Sequence, residues 1–194
     1  MLINAEEPEE YRLAIVSGKK LEEFYVETTT RENTRGNIYK GVVVNVQPSL
    51  QAAFVDFGTE KNGFLQLPEI HPEYYQHEPP EEGKRVPIQK ALRPGQELMV
   101  QVVKEATPTK GAFLTTYVSL PGRYLVLMPG SKHGGISRQI EDERQRQRLR
   151  QIISQLSVPE GIHLIVRTAG ENRTKRDLSR DFRYLLRLWK NIKA

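Results

Sequence analysis

Apolar and polar residues alternate singly along much of the first 120 residues, and a period of two predicts short strands rather than helices. Residues 11–17 and 21–28 flank Ser17-Gly-Lys-Lys20, which reads as a hairpin turn. Two or three strands bury no core alone, so residues 1–30 are expected to need partners from elsewhere. Five further strands are predicted at 39–46, 52–57, 63–67, 97–104 and 113–120, with Arg93-Pro-Gly-Gln96 turning the chain into the fourth. They suit a small barrel. Residues 71–90, rich in Pro, Glu, Tyr and Lys, show no apolar period and are expected to form a mobile excursion.

Beyond residue 117 the pattern lengthens. Tyr124 to Met128 and Ile162 to Val166 read as buried strands, and Lys132-His-Gly-Gly-Ile136 as a loop. Leu149, Ile152, Ile153 and Leu156 recur at helical spacing, and Leu178, Phe182, Leu185, Leu186, Trp189 and Ile192 line one face of a second amphipathic helix. The chain ends at Ala194 without a terminating signal, as expected of a segment excised from a longer protein.

The alternation assigns faces. Ala53, Val55 and Phe57 point one way and Ala52, Phe54 and Asp56 the other; Leu65 and Leu67 oppose Phe64 and Gln66. Two phenylalanines thus share a face with an aspartate and a glutamine. Such a mixed face suits bases stacking on rings. The pattern equally allows Phe54 and Phe64 to be core residues, with Asp56 at a strand end.

Composition narrows the classes. There is no cysteine, hence no disulfide framework and no thiolate metal site. The N-terminus lacks the basic flank and apolar run of a signal peptide, and no stretch reaches the ~20 apolar residues of a membrane span. A soluble cytoplasmic chain is expected. The net charge of +5 is unevenly placed: residues 1–130 carry 14 basic against 17 acidic side chains, residues 131–194 carry 15 against 7. Most of the C-terminal excess is arginine, which grips phosphate through paired hydrogen bonds; a solvated basic helix face gives the same composition. His71 and His77 invite a metal site, but no further ligands converge on them in the sequence.

A second cluster follows the strand at 162–166. Arg167 and Thr168 stand side by side before Ala-Gly, so a guanidinium, a hydroxyl and backbone N–H groups meet at one turn. That set suits a terminal phosphate, whose free oxygens outnumber those of a diester. Pro121-Gly-Arg-Tyr124 supplies a glycine where backbone can approach a ligand. A structural salt bridge at Arg167 and a plain turn at Gly122 remain the alternative.

In this order, Leu120-Pro-Gly-Arg-Tyr-Leu-Val-Leu-Met-Pro129, Gly134-Gly-Ile-Ser-Arg138, Pro159-Glu-Gly161 and Leu164-Ile-Val-Arg-Thr-Ala-Gly170 resemble the 5′-sensor region of the bacterial ribonuclease E/G family. Residues 36–119 resemble that family's RNA-binding barrel, an OB-fold of the S-one type, and residues 1–35 the first strands of its ribonuclease-H-like scaffold. The resemblance implies an α+β fold in three parts: partial scaffold 1–35, barrel 36–119 and a mixed α/β sensor subdomain 120–194. It implies that Arg167 and Thr168 bind the 5′-monophosphate of RNA, with Gly122 and Val126 against the terminal nucleotide. Phe54 and Phe64 fall on the aromatic positions of the RNA channel, Lys104 and Lys110 on barrel lysines, and Arg138 on a further phosphate contact. Arg35 lies near a basic position without aligning cleanly with it.

The implied partner is single-stranded RNA rather than DNA, and the full-length protein is expected to be a homo-oligomer. The resemblance implies a magnesium-dependent endoribonuclease with a zinc link between subunits, both metals held by chain beyond residue 194. Asp142, Asp177 and Asp181 are expected to be helix-start or ion-pair residues, so this segment should recognise RNA for processing and decay without cutting it. The rival expectation is a stand-alone, non-enzymatic RNA-binding or ribosome-associated barrel.

Overall fold

The structure is a computed structural model that describes residues 1–7, 9–28, 33–76, 86–131 and 134–194. The chain divides into two compact units, Met1–Thr34 and Arg35–Ala194. The first is an antiparallel meander of β1 (Leu2–Glu7), β2 (Glu10–Ser17) and β3 (Lys20–Thr28), in the order β1-β2-β3. Ser17 pairs with Lys20 across the expected hairpin. Leu2, Ile3, Leu21, Phe24 and Tyr25 are exposed, as follows from a sheet of three strands that encloses no core of its own.

The second unit opens with a closed barrel. Strands β4 (Ile38–Gln47), β5 (Ala52–Asp56), β6 (Gly63–Gln66), β7 (Glu97–Lys104) and β8 (Phe113–Thr115) close in the order β4-β5-β6-β8-β7. All pairs are antiparallel except β6 with β8. Alternation fills the interior as expected: Val43, Ala53, Val55, Leu65, Leu98, Val100, Val102 and Leu114 are buried. Ala52, on the opposite face with Phe54, is fully buried too. The last barrel strand is shorter than the sequence predicts. The Thr116 amide and hydroxyl both donate to the Glu69 carbonyl, and this turns the chain away after Thr115.

The expected excursion at 71–90 is corrected at both ends. His71 leads into a 3-10 turn (Pro72–Tyr74), Tyr74 and Tyr75 pack on the barrel core, and burial pushes both phenols above their ordinary pKa. Helix α1 (Ile88–Ala91), between β6 and β7, buries Ile88 and Ala91 completely. The apolar residues here lack a period because they cap a barrel rather than line an element. Residues 77–85, His77 among them, and Lys132-His133 of the expected loop lie outside the described residues.

A separate core follows. Strands β9 (Leu120–Pro121), β10 (Leu125–Pro129), β11 (Gly135–Ile136) and β12 (Ile162–Val166) form a sheet in the order β11-β12-β10-β9. Helices α2 (Glu143–Ser154) and α3 (Lys175–Lys193) accompany it. Leu125, Leu127, Val166, Leu149, Leu178 and Leu185 form the buried centre of this second core. Asp142 caps α2, and Thr174 with Asp177 forms a capping box at α3.

The barrel leans directly on this core. Ile38 and Met99 on the outer barrel wall pack against it. Gln101, a buried polar residue of β7, donates to the Gly36 and Ser119 carbonyls (both 2.9 Å) and accepts from the Ser119 amide at 2.8 Å. His71 Nδ1 accepts from the Glu73 amide, so Nε2–H donates to the Gly130 carbonyl at the end of β10, 3.1 Å away. Mixed architecture and a closed five-stranded barrel agree with the α+β expectation.

Candidate nucleic-acid interface

The outer barrel face carries a row of rings. Phe54 on β5 lies opposite Phe64 on β6, with centroids 5.8 Å apart. Phe64 lies beside Phe113 on β8, with centroids 5.4 Å apart and planes at 79°. Lys104 on β7 ends the row, its Nζ 5.6 Å from the Phe113 centroid. All three rings are half-buried, and they pack on one another. Phe113 escaped the sequence analysis, yet the same alternation marks it, because Ala112 and Leu114 on either side are buried.

Lysines surround one end of the row. Lys110 is exposed in the β7–β8 loop, where its amide donates to Thr107 Oγ1 at 3.1 Å. The β5–β6 loop packs against this one. Lys61 Nζ donates to the Thr107 and Pro108 carbonyls, and a Cβ on Gly111 would stand 1.9 Å from the Asn62 carbonyl oxygen. Gly111 therefore permits a loop contact that any side chain would block.

The second cluster is built on turns. Arg167 precedes a 3-10 turn (Thr168–Gly170) at the end of β12, and its amide donates to the Tyr124 carbonyl at 2.8 Å. Its exposed guanidinium donates to the Gly122 carbonyl. Thr168 Oγ1 donates to Gln139 Oε1 at 2.8 Å and stands 3.4 Å from Ser137 Oγ. Arg138, between these two contacts in the chain, is exposed. Val126 is a half-buried residue of β10 paired with Ile165 and Pro121, on the sheet face opposite its buried neighbours Leu125 and Leu127. The salt bridge offered as the alternative for Arg167 is not among the ion pairs of the described residues.

Asp181 requires a correction. It does not start a helix, and no ion pair among the described residues includes it: from within α3 its carboxylate accepts three backbone N–H groups, from Arg123 (3.2 Å), Tyr124 (2.8 Å) and Leu125 (2.9 Å). A Cβ on Gly122 would lie 2.7 Å from Asp181 Oδ2 and 2.9 Å from Leu185 Cδ1. Only glycine fits between this anchor and the Arg167 guanidinium. Asp142 and Asp177 are helix-start residues, as expected.

Two of the arginines are consumed internally. Arg146 donates to the Ser137 and Ile140 carbonyls, and Arg148 to those of Glu171 and Arg173. Among the described residues no three His, Asp or Glu side chains converge closely enough to hold a metal ion. The described residues therefore do not fit the magnesium or zinc that the resemblance implies for the longer protein. No helix of the described residues is long and apolar enough to cross a membrane.

A closed five-stranded barrel with an aromatic outer row, followed by a separate sheet carrying a basic turn, defines an OB-type binding module joined to a second α/β layer. Residues 32–116 match the S1 RNA binding domain, and residues 119–194 match the Ribonuclease E/G family. The chain is 48% identical over 194 residues to ribonuclease E of Haemophilus influenzae, covering all of this chain and 20% of that protein. It is 46% identical to ribonuclease E of Escherichia coli, with 100% and 18% covered, and 42% identical to ribonuclease G of E. coli, with 99% and 39% covered. The chain thus carries an S1 RNA-binding domain and a ribonuclease E/G family region, and relatives 42–48% identical to it are named ribonuclease E or G. It spans about a fifth of the length of these ribonuclease E relatives.

Proposed function

We propose that this chain is the RNA-recognition part of an endoribonuclease of the E/G type, acting on cytoplasmic RNA in processing and decay. The observation that carries the proposal is the Phe54–Phe64–Phe113 row with Lys104 beside it, on a barrel that matches an RNA-binding family. Half-exposed rings on adjacent strands stack bases irrespective of sequence, and the lysines follow the phosphates. Single-stranded RNA lies across the row, because paired bases offer no free ring faces.

The Arg167–Thr168 turn takes a 5′-terminal monophosphate. In support, the guanidinium and the hydroxyl stand on one exposed turn, the guanidinium against the Gly122 carbonyl, and the exposed Arg138 lies in sequence between the two residues that contact Thr168. Thr168 donates its proton to Gln139 in the free protein; on binding, that proton turns to a phosphate oxygen. Val126 and Gly122 lie against the terminal nucleotide. A triphosphate adds groups that a site built for one phosphate does not accommodate.

The test is binding of one short single-stranded RNA bearing a 5′-monophosphate, 5′-hydroxyl or 5′-triphosphate at fixed salt. The monophosphate should bind tightest, and Arg167→Ala should cost about tenfold or more for that RNA alone, as expected for one charge-assisted contact. Equal affinity for all three ends would refute the sensor and leave the barrel standing.

A further inference from the structure

Opposite the Arg167 side of the Gly122–Leu125 turn lies a cleft of about 620 Å³ that neither the aromatic row nor the phosphate turn uses. Its floor is the turn itself, and its far wall is the exposed face of α3. We propose that this cleft is a second single-stranded RNA contact, in which Arg180 and Arg187 hold phosphates and Tyr184 stacks a base. The proposal rests on the RNA-recognition reading above and adds to it a site that does not belong to the barrel.

Helical geometry makes the groups converge. Arg180, Tyr184 and Arg187 are spaced by four and three residues, so they fall on one stripe of α3 spanning about 10 Å at the helical rise of ~1.5 Å per residue. Tyr184 stands between the two arginines and is 54% exposed. Arg123 brings a third guanidinium from the turn. The Tyr124 ring lies between cations, with the Arg123 and Arg173 guanidinium carbons 5.9 and 5.1 Å from its centroid. Interleaved arginines and tyrosines are the elements of sequence-tolerant strand binding: charge for the backbone, rings for the bases.

The carboxylates in the cleft are already engaged. Asp181 is held by its three backbone N–H groups, and Asp177 by the Thr174 hydroxyl and amide in the capping box. Among the described residues, no ion pair within 4.0 Å joins either aspartate to Arg123, Arg180 or Arg187. The arginines therefore keep their donors for a ligand. An acidic peptide would also meet the charge, but it offers nothing for Tyr184 to stack.

The experiment uses the whole 194-residue chain with single-stranded RNAs of increasing length. Replacing Arg180 and Arg187 together by alanine should weaken binding of the longer RNAs about tenfold. The log–log salt slope should become shallower by about 1.4, the release expected for two phosphate contacts on a single strand. The shortest monophosphorylated RNA should bind as before. In parallel, 4-thiouridine crosslinking to the unaltered protein should mark Tyr184.

Unchanged affinity and slope in the double variant, or crosslinks confined to the barrel, would overturn the second contact while leaving RNA recognition intact. A poly-glutamate peptide that binds the wild-type chain and not the variant, with RNA affinity unaltered, would assign the cleft to an acidic protein segment and also overturn it. Failure of the wild-type chain to bind any RNA, with the fold intact by circular dichroism, would overturn both readings together.

Discussion

In the barrel, Phe54, Phe64 and Phe113 stand on regular strands, and each is displayed because its neighbours point inward. In the β9–β12 sheet, Arg167, Thr168 and Gly122 stand on turns that side chains from distant positions hold in shape. Asp181 reaches back 58 residues to the Arg123 amide, and Thr168 meets Gln139 across 29. A surface borne on a closed sheet is secured by the whole barrel core. A site borne on turns depends on a few identifiable anchors, so single substitutions should separate the two.

Asp181→Ala should show the largest effect. It deprives three backbone N–H groups of their acceptor, with an expected loss of about 3 kcal/mol in unfolding free energy. Preference for the 5′-monophosphate should disappear while barrel binding persists. Denaturant melts of the variant, read beside its RNA affinities, test this, and retention of both stability and end preference would remove Asp181 as the anchor.

Phe64→Ala should do the opposite. Its ring is the middle of the row, and losing one stacking surface should cost about 1–3 kcal/mol of RNA affinity. The ratio between monophosphate and hydroxyl ends should stay as it was. Titrations with both RNAs decide it; a changed ratio would mean that the two surfaces are not separable.

The smallest effect concerns pH. The Thr174 hydroxyl, and after it the Thr174 amide, hold the Asp177 carboxyl below its ordinary value. A depressed acid stabilises the fold above its unfolded pKa, about 3.9, and that contribution is lost as pH falls through the lower folded value. Melting temperature followed from about pH 5 downward should therefore fall more steeply in the wild type than in Asp177→Asn. Parallel curves would show that the capping box is energetically silent.

The same contrast explains what was legible in the sequence. The barrel strands, both amphipathic helices and the ring-bearing face follow from local periodicity, and Phe113 would have followed from it with equal care. The turn residues Arg167 and Thr168 stood out as a chemical pair. Their supports did not, because Asp181, Gln139 and His71 act across 29 to 59 residues, and nothing local marks an aspartate that binds backbone amides. The 71–76 segment was misjudged for a related reason: its tyrosines pack on a barrel surface that exists only once the chain is folded.

Gln101 and His71 stitch the barrel to the neighbouring sheet at two places, and Ile38 and Met99 fill the seam between them. The gap from the phenylalanine row to the Arg167 turn is therefore a fixed length, like the opening of a set caliper. An RNA that touches both must have enough nucleotides to bridge that gap. Affinity of 5′-monophosphorylated RNA should accordingly rise in a step at one threshold length, whereas a gradual climb would mean that the jaws move.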